Sequence, residues 1–167
     1  MGVLSAVADA VVVLFSLTIA MAAPLIGAQS VLPPHLYPAP LRDFKRWYAA
    51  EFDDYLMAQP PAFLLGIFWL EIAFLWPLSV ATIYGVLARR RWGATTSLMA
   101  GVSTLTSMSA ILGEMLGSGR ATPRLLQLYA PYLVFAVIAI LRGLCSCSAP
   151  PSPASSARKK RISLSQS

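Results

Sequence analysis

Charge is what this chain has least of. Charged residues are 12% of the sequence, against roughly 25% in an ordinary soluble domain. Histidine occurs once, as His35, in a proline-rich stretch with no second histidine or cysteine near it. Metal binding and histidine-based catalysis are therefore not expected. The two cysteines, Cys145 and Cys147, stand two apart and late in the chain, so there is no disulfide framework. No glycine-rich phosphate loop and no nucleophile elbow occur, and no cofactor is expected.

What fills the space is apolar. Hydrophobic residues make up 57% of the 167, and the mean hydropathy is +0.66. A water-soluble globule of this length has too little interior to hide that surface. The length suits about four or five membrane-spanning helices of ~20 residues. A soluble enzyme and an extended nucleic-acid-binding surface are excluded. The net charge of +6 sits mainly in two short clusters, which in a membrane protein report orientation before they report a nucleic-acid partner.

The expected fold is an all-α integral membrane bundle of four transmembrane helices. The spans are expected at about 4–27, 62–87, 93–116 and 125–144, within one domain over 1–145. A retained first span is favoured over a cleaved signal peptide, because its start carries Asp9 and no basic residue. Asp9 itself reads as a solvated residue at the helix entry. Residues 31–40 hold four prolines and cannot be helical throughout. Residues 41–56 then read as one amphipathic helix, with Leu41, Phe44, Tyr48, Phe52 and Tyr55 along one face. Such a helix lies on a membrane or caps the mouth of a bundle. Pro77 and Pro131 fall inside spans and are expected to kink them. The Ser/Pro/basic tail, 146–167, is expected to be disordered.

Four spans put both termini on one side. Arg89–Arg91 and Arg158–Arg161 share it and supply seven basic residues with no acid; Arg42, Lys45, Arg46, Arg120 and Arg124 lie opposite. The positive-inside rule makes the arginine-run side cytosolic.

Glu71 is the sharpest chemical signal. A carboxyl in a span costs ~2.5 kcal/mol or more and is a functional candidate by default. The alternative is a buried glutamate bonded to a hydroxyl of the third span, which is rich in Ser and Thr. Glu114, near the end of that span, is a second candidate or a residue that reaches water. Trp69 and Trp76, with Phe68, Phe74 and Leu75, offer apolar walls for a ligand or a face toward lipid.

Five segments occur in a telling order: VLPPHLYP (31–38), KRWYAAEFDD (45–54), QPPAF (59–63), Glu71 followed by Trp76-Pro77, and YAPYL (129–133). Together they resemble the EXPERA superfamily, in particular its sigma-2 receptor (transmembrane protein 97) type, over residues 9 to 145. The superfamily also holds the emopamil-binding sterol isomerases. The resemblance implies an endoplasmic-reticulum protein whose intramembrane cavity binds sterols and cationic amphiphiles. It implies a part in sterol homeostasis or trafficking, with a Niemann–Pick type sterol transporter as a partner beside the lipid bilayer and its hydrophobic ligand. A second copy of the chain is a further candidate partner; nucleic acid is not.

The ligand site implied by the resemblance comprises Glu71, Asp54, Ser107, Tyr129 and Tyr132, with Glu114 as a candidate substitute acid. In that family the buried glutamate pairs with an acid at the end of the first span. Gly27 stands there in this chain, which puts amine binding in question. A sterol Δ8–Δ7 isomerase and a scaffold with an inert Glu71 are the alternatives to a non-enzymatic lipid binder.

Overall fold

The computed structural model describes residues 3–147. Among them the chain is helical, with no strand. Helix α1 spans Val3–Leu25 and runs into a short 3-10 turn, Gly27–Ser30. The connecting segment folds as α2 (Ala39–Glu51) and α3 (Tyr55–Ala58). The next span is α4 (Ala62–Leu70), a π turn (Glu71–Leu75) and α5 (Trp76–Leu87) in one continuous rod. Helices α6 (Trp92–Gly117) and α7 (Pro123–Cys147) complete the bundle. The tail expected to be disordered lies outside the described residues apart from positions 146 and 147, where α7 ends.

Three of these rods are long and apolar enough to cross a membrane: Val3–Ser30, Ala62–Leu87 and Pro123–Cys145. Helix α6 is as long, but its serines, threonines and glycines lower its hydropathy. Burial explains the composition. Gly93, Ser97, Gly101, Thr104, Ser107, Met108 and Ile111 all face other helices. Small residues let backbones approach where lipid supplies no hydrophobic drive. At Gly101 an added Cβ would stand 2.8 Å from the Ala136 carbonyl oxygen, and at Gly93 2.7 Å from the carbonyl carbon of Gly85. Neither position has room for a side chain. Ser97 Oγ also donates to the Ala139 carbonyl at 3.3 Å, tying α6 to α7.

The single amphipathic helix expected over 41–56 is in fact two pieces. Asp53 adopts a left-handed backbone with φ of 51°, and α2 stops at Glu51. Asp54 then caps α3, accepting from the Leu56 and Met57 amides at 3.1 Å each. Aspartate suits both jobs: its short side chain tolerates the left-handed region and satisfies orphan amides at a helix start. Leu56 and Asp54 are consequently buried while Phe44 and Trp47 on α2 stay exposed.

Asp9 is not the solvated entry residue expected. It forms an ion pair with Arg142 of α7, clasping the first and last spans at the end of the bundle opposite the α2–α3 segment. Their side chains are only 24% and 14% exposed.

Candidate functional site

Proline at 77 has no amide hydrogen and crowds the carbonyl four residues back. The chain answers with a π turn immediately before it, in which the Trp76 amide reaches the Glu71 carbonyl, a five-residue step. Such turns recur at functional sites. Here it begins at Glu71 and sets that side chain on the wall of a cavity of about 310 Å³. The volume lies at the small end of the range for small-molecule sites.

The cavity is bounded by Ile19 and Ala23 of α1, Ile26 just after it, Phe68 of α4, Met108 and Ile111 of α6, and Leu128 of α7. Its polar groups are few: the Glu71 carboxyl and the tyrosines Tyr48, Tyr129 and Tyr132, with Thr18 at the edge. The Glu71 carboxyl makes no hydrogen bond or ion pair with the described residues, so it is not held by a hydroxyl of α6. Gly27 is buried beside it. A Cβ added at Gly27 would lie 3.4 Å from Glu71 Oε2 and 3.5 Å from the Phe68 ring, both ordinary contacts.

Asp54 does not line the cavity. It stands behind the wall, fully buried, and its Oδ2 accepts the Tyr129 hydroxyl at 2.9 Å. With the two α3 amides on Oδ1, three donors orient one carboxyl, and that carboxyl fixes Tyr129. Burial raises the Asp54 pKa above the usual aspartate value; the Tyr129, Met57 and Leu56 hydrogen bonds oppose the rise. Burial, and then the charge of Asp54, push the Tyr48 phenol up and keep it a proton donor.

A pH dependence follows from Asp54. An acid with a raised folded-state pKa favours the fold most when protonated, below the ordinary aspartate value. That contribution declines as pH rises from the ordinary value to the raised one. Unfolding midpoints measured across this interval should fall with pH through the Asp54 contribution. Asp54→Asn should flatten that part of the curve; an unchanged curve would mean that Asp54 does not titrate in this way.

Of the expected site residues, the structure brings Glu71, Tyr129 and Tyr132 together at one cavity, with Asp54 behind Tyr129. Ser107 is buried on α6 but is not on the cavity wall, and neither is Glu114. The expected aromatic walls divide. Phe68 lines the cavity and Leu75 packs in a neighbouring core. Trp69, Phe74 and Trp76 are exposed on the outside of the bundle, with Trp76 Nε1 donating to the Ala20 carbonyl at 3.0 Å. Tyr48 and Met57 are wall residues that sequence reasoning did not place there.

The sequence profile of EXPERA (EXPanded EBP superfamily) matches residues 40–143. The chain belongs to the EXPERA family. Sigma intracellular receptor 2 of Macaca fascicularis is 32% identical over 129 residues, covering 68% of this chain and 73% of the relative. The same receptor of Homo sapiens gives the same figures. That of Xenopus tropicalis is 30% identical over 135 residues, covering 73% of this chain and 79% of the relative. This EXPERA protein is thus an all-α membrane protein similar to named receptors. The EXPERA match ends at residue 143 and includes every expected site residue.

Proposed function

We propose that this protein binds a sterol or related lipid in the cavity beside Glu71 and takes part in sterol homeostasis without catalysing a reaction on its ligand. The observation that carries this reading is a single carboxyl with no partner among the described residues, set in a largely apolar cavity whose other polar groups are three tyrosines and Thr18. A rigid apolar body with one hydroxyl fits such a site: the walls take the body, and Glu71 or a tyrosine takes the hydroxyl.

The arrangement favours binding over sterol isomerisation. Moving a double bond needs a proton donor and an acceptor at one place. Glu114 stands off the cavity wall, and Asp54 is committed to three donors. An inert structural role for Glu71 fits less well, because the carboxyl holds no neighbouring element in place.

The protein resides in the endoplasmic-reticulum membrane with both termini cytosolic in this reading. The basic residues of the arginine-run side support that orientation.

Glu71→Gln keeps the side-chain shape and should leave the amount of folded protein nearly unchanged. Sterol photo-crosslinking should weaken by about tenfold, the scale of one hydrogen bond to a charged or strongly polar partner. Parallel loss of folded protein and labelling would favour the structural role. Unchanged labelling would remove Glu71 from the site.

A further inference from the structure

A second cavity, of about 560 Å³, opens on the α2 side of the bundle and is unlike the first. Arg42, Lys45 and Arg46 line it together with Ala49, Ala50 and Asp53. The first five step by three, one, three and one along α2 and so share one helical face; Asp53 follows just past the end of the helix. Three cations meet one anion there. Asp43 offers Arg46 an ion pair at 3.5 Å, but both side chains are largely exposed, where such a pair contributes little.

The other polar groups at this cavity are already engaged. Gln29 Nε2 donates to the Leu41 carbonyl at 3.2 Å, and the Tyr37 hydroxyl to the Pro24 carbonyl at 3.1 Å. Lys45 Nζ donates to Ser30 Oγ at 2.6 Å, leaving further ammonium hydrogens. Arg42 Nε is buried and has no hydrogen-bond partner. A buried donor left unmade is costly, and an oxyanion placed between Arg42 and Lys45 would satisfy it. Burial also lowers the Lys45 pKa, as expected for an ammonium lacking a compensating anion.

The cavity's position narrows the class of anion. Phe44 and Trp47 sit on the outer face of α2, exposed and 5.7 Å apart. Exposed aromatics of this kind anchor a helix at the level of lipid headgroups. Met57 lines both this cavity and the one beside Glu71, so one flexible side chain stands between them.

We infer that the basic cavity holds the phosphate or sulfate ester headgroup of an anionic lipid, whose hydrocarbon enters the neighbouring cavity past Met57. The second half of this inference rests on the lipid-binding reading given above; the headgroup site does not. The ligand class is then an anionic amphiphile, held by Arg42 and Lys45 at one end.

The test uses the full chain in a neutral maltoside detergent, with native mass spectrometry as the readout. Phosphatidic acid should bind about tenfold tighter than diacylglycerol of the same chains, the scale of one charge-assisted hydrogen bond. The double variant Arg42→Gln, Lys45→Gln should bring the two lipids within about twofold, and sterol photo-labelling of the first cavity should be unchanged. Retention of the phosphatidic acid preference by this variant would overturn the headgroup site. If the variant loses sterol labelling as well, Arg42→Lys with Lys45→Arg decides: preserved charge must restore the preference, and failure to do so overturns the site. Inorganic phosphate that displaces phosphatidic acid at equal concentration would show a small-ion site and overturn the lipid assignment. A wild type that prefers phosphatidic acid but takes no sterol label would defeat the sterol reading and leave the headgroup site standing.

Discussion

Gly27→Asp should strengthen binding of a cationic amphiphile by about 1.5–3 kcal/mol, the range for a charge-assisted hydrogen bond, or roughly ten- to hundredfold. A buried cation needs an ionised partner, because an unpaired charge in low dielectric costs several kcal/mol or more. A single carboxyl must either be ionised in the empty site, which is costly, or hold its proton, which makes it a poor counter-ion. Two adjacent carboxyls can share one proton and present a net charge of about −1. The structure leaves room for the change: the new Cβ would be in ordinary contact with Glu71 Oε2 at 3.4 Å. The wild-type protein is therefore expected to take neutral sterol-like ligands and to bind amines weakly. Competition of a cationic amine against a labelled sterol measures both. Glu114→Gln should leave the result unchanged, since Glu114 is off the cavity wall. Tight amine binding by the wild type would show that Gly27 is not the determinant.

Arg142→Leu should destabilise the bundle by about 3 kcal/mol, because it leaves the largely buried Asp9 charge without its partner. The pair joins helices whose ends are far apart in sequence, so the loss should loosen α1 from α7. The double variant Asp9→Leu, Arg142→Leu removes both charges and should recover to within about 1 kcal/mol of wild type, as buried pairs replaced by apolar residues commonly do. Reversible unfolding in mild detergent measures the cycle. A double variant as unstable as the single one would mean that the pair contributes specific structure beyond charge neutralisation. Arg142 Nη1 is itself buried without a partner, which favours recovery on its removal.

Residues that break a pattern were the ones legible beforehand. Glu71 stood out as a charge inside an apolar run, and Pro77 as a missing amide in a helix. Tyr129 and Tyr132 came from a motif, and Gly27 acquired meaning only by comparison with a family that has an acid there. The bundle itself was readable because hydrocarbon admits few alternatives to a helix. Met108 and Ile111 were not legible as cavity walls. An apolar side chain in a span looks the same whether it faces lipid, a neighbouring helix or a ligand. Trp69 and Trp76 left both readings open for that reason, and the structure puts them on the outside of the bundle. Arg142 went unnoticed because a basic residue near a helix end ordinarily reaches water; its partner Asp9 is 133 residues away. The break at Asp53 was present in the Asp53-Asp54 pair, but a continuous aromatic face concealed it.

The π turn has a consequence for how this span tolerates insertion and deletion. It adds the equivalent of one residue to a helix that otherwise advances about 100° per residue. The faces of α4 and α5 are therefore out of phase with each other by that amount, and no single helical wheel describes residues 62–87. The wide turn absorbs that residue, so both faces keep their places in space while the sequence positions that reach them shift by one. Removing one residue between Ile72 and Leu75 would close the turn to an ordinary helical step and leave Glu71 and α5 facing as they do, but it would press the ring of Pro77 against the carbonyl four residues back. A deletion within α4 or α5 themselves has no such turn to absorb it and would rotate one face against the other by about a quarter of a revolution.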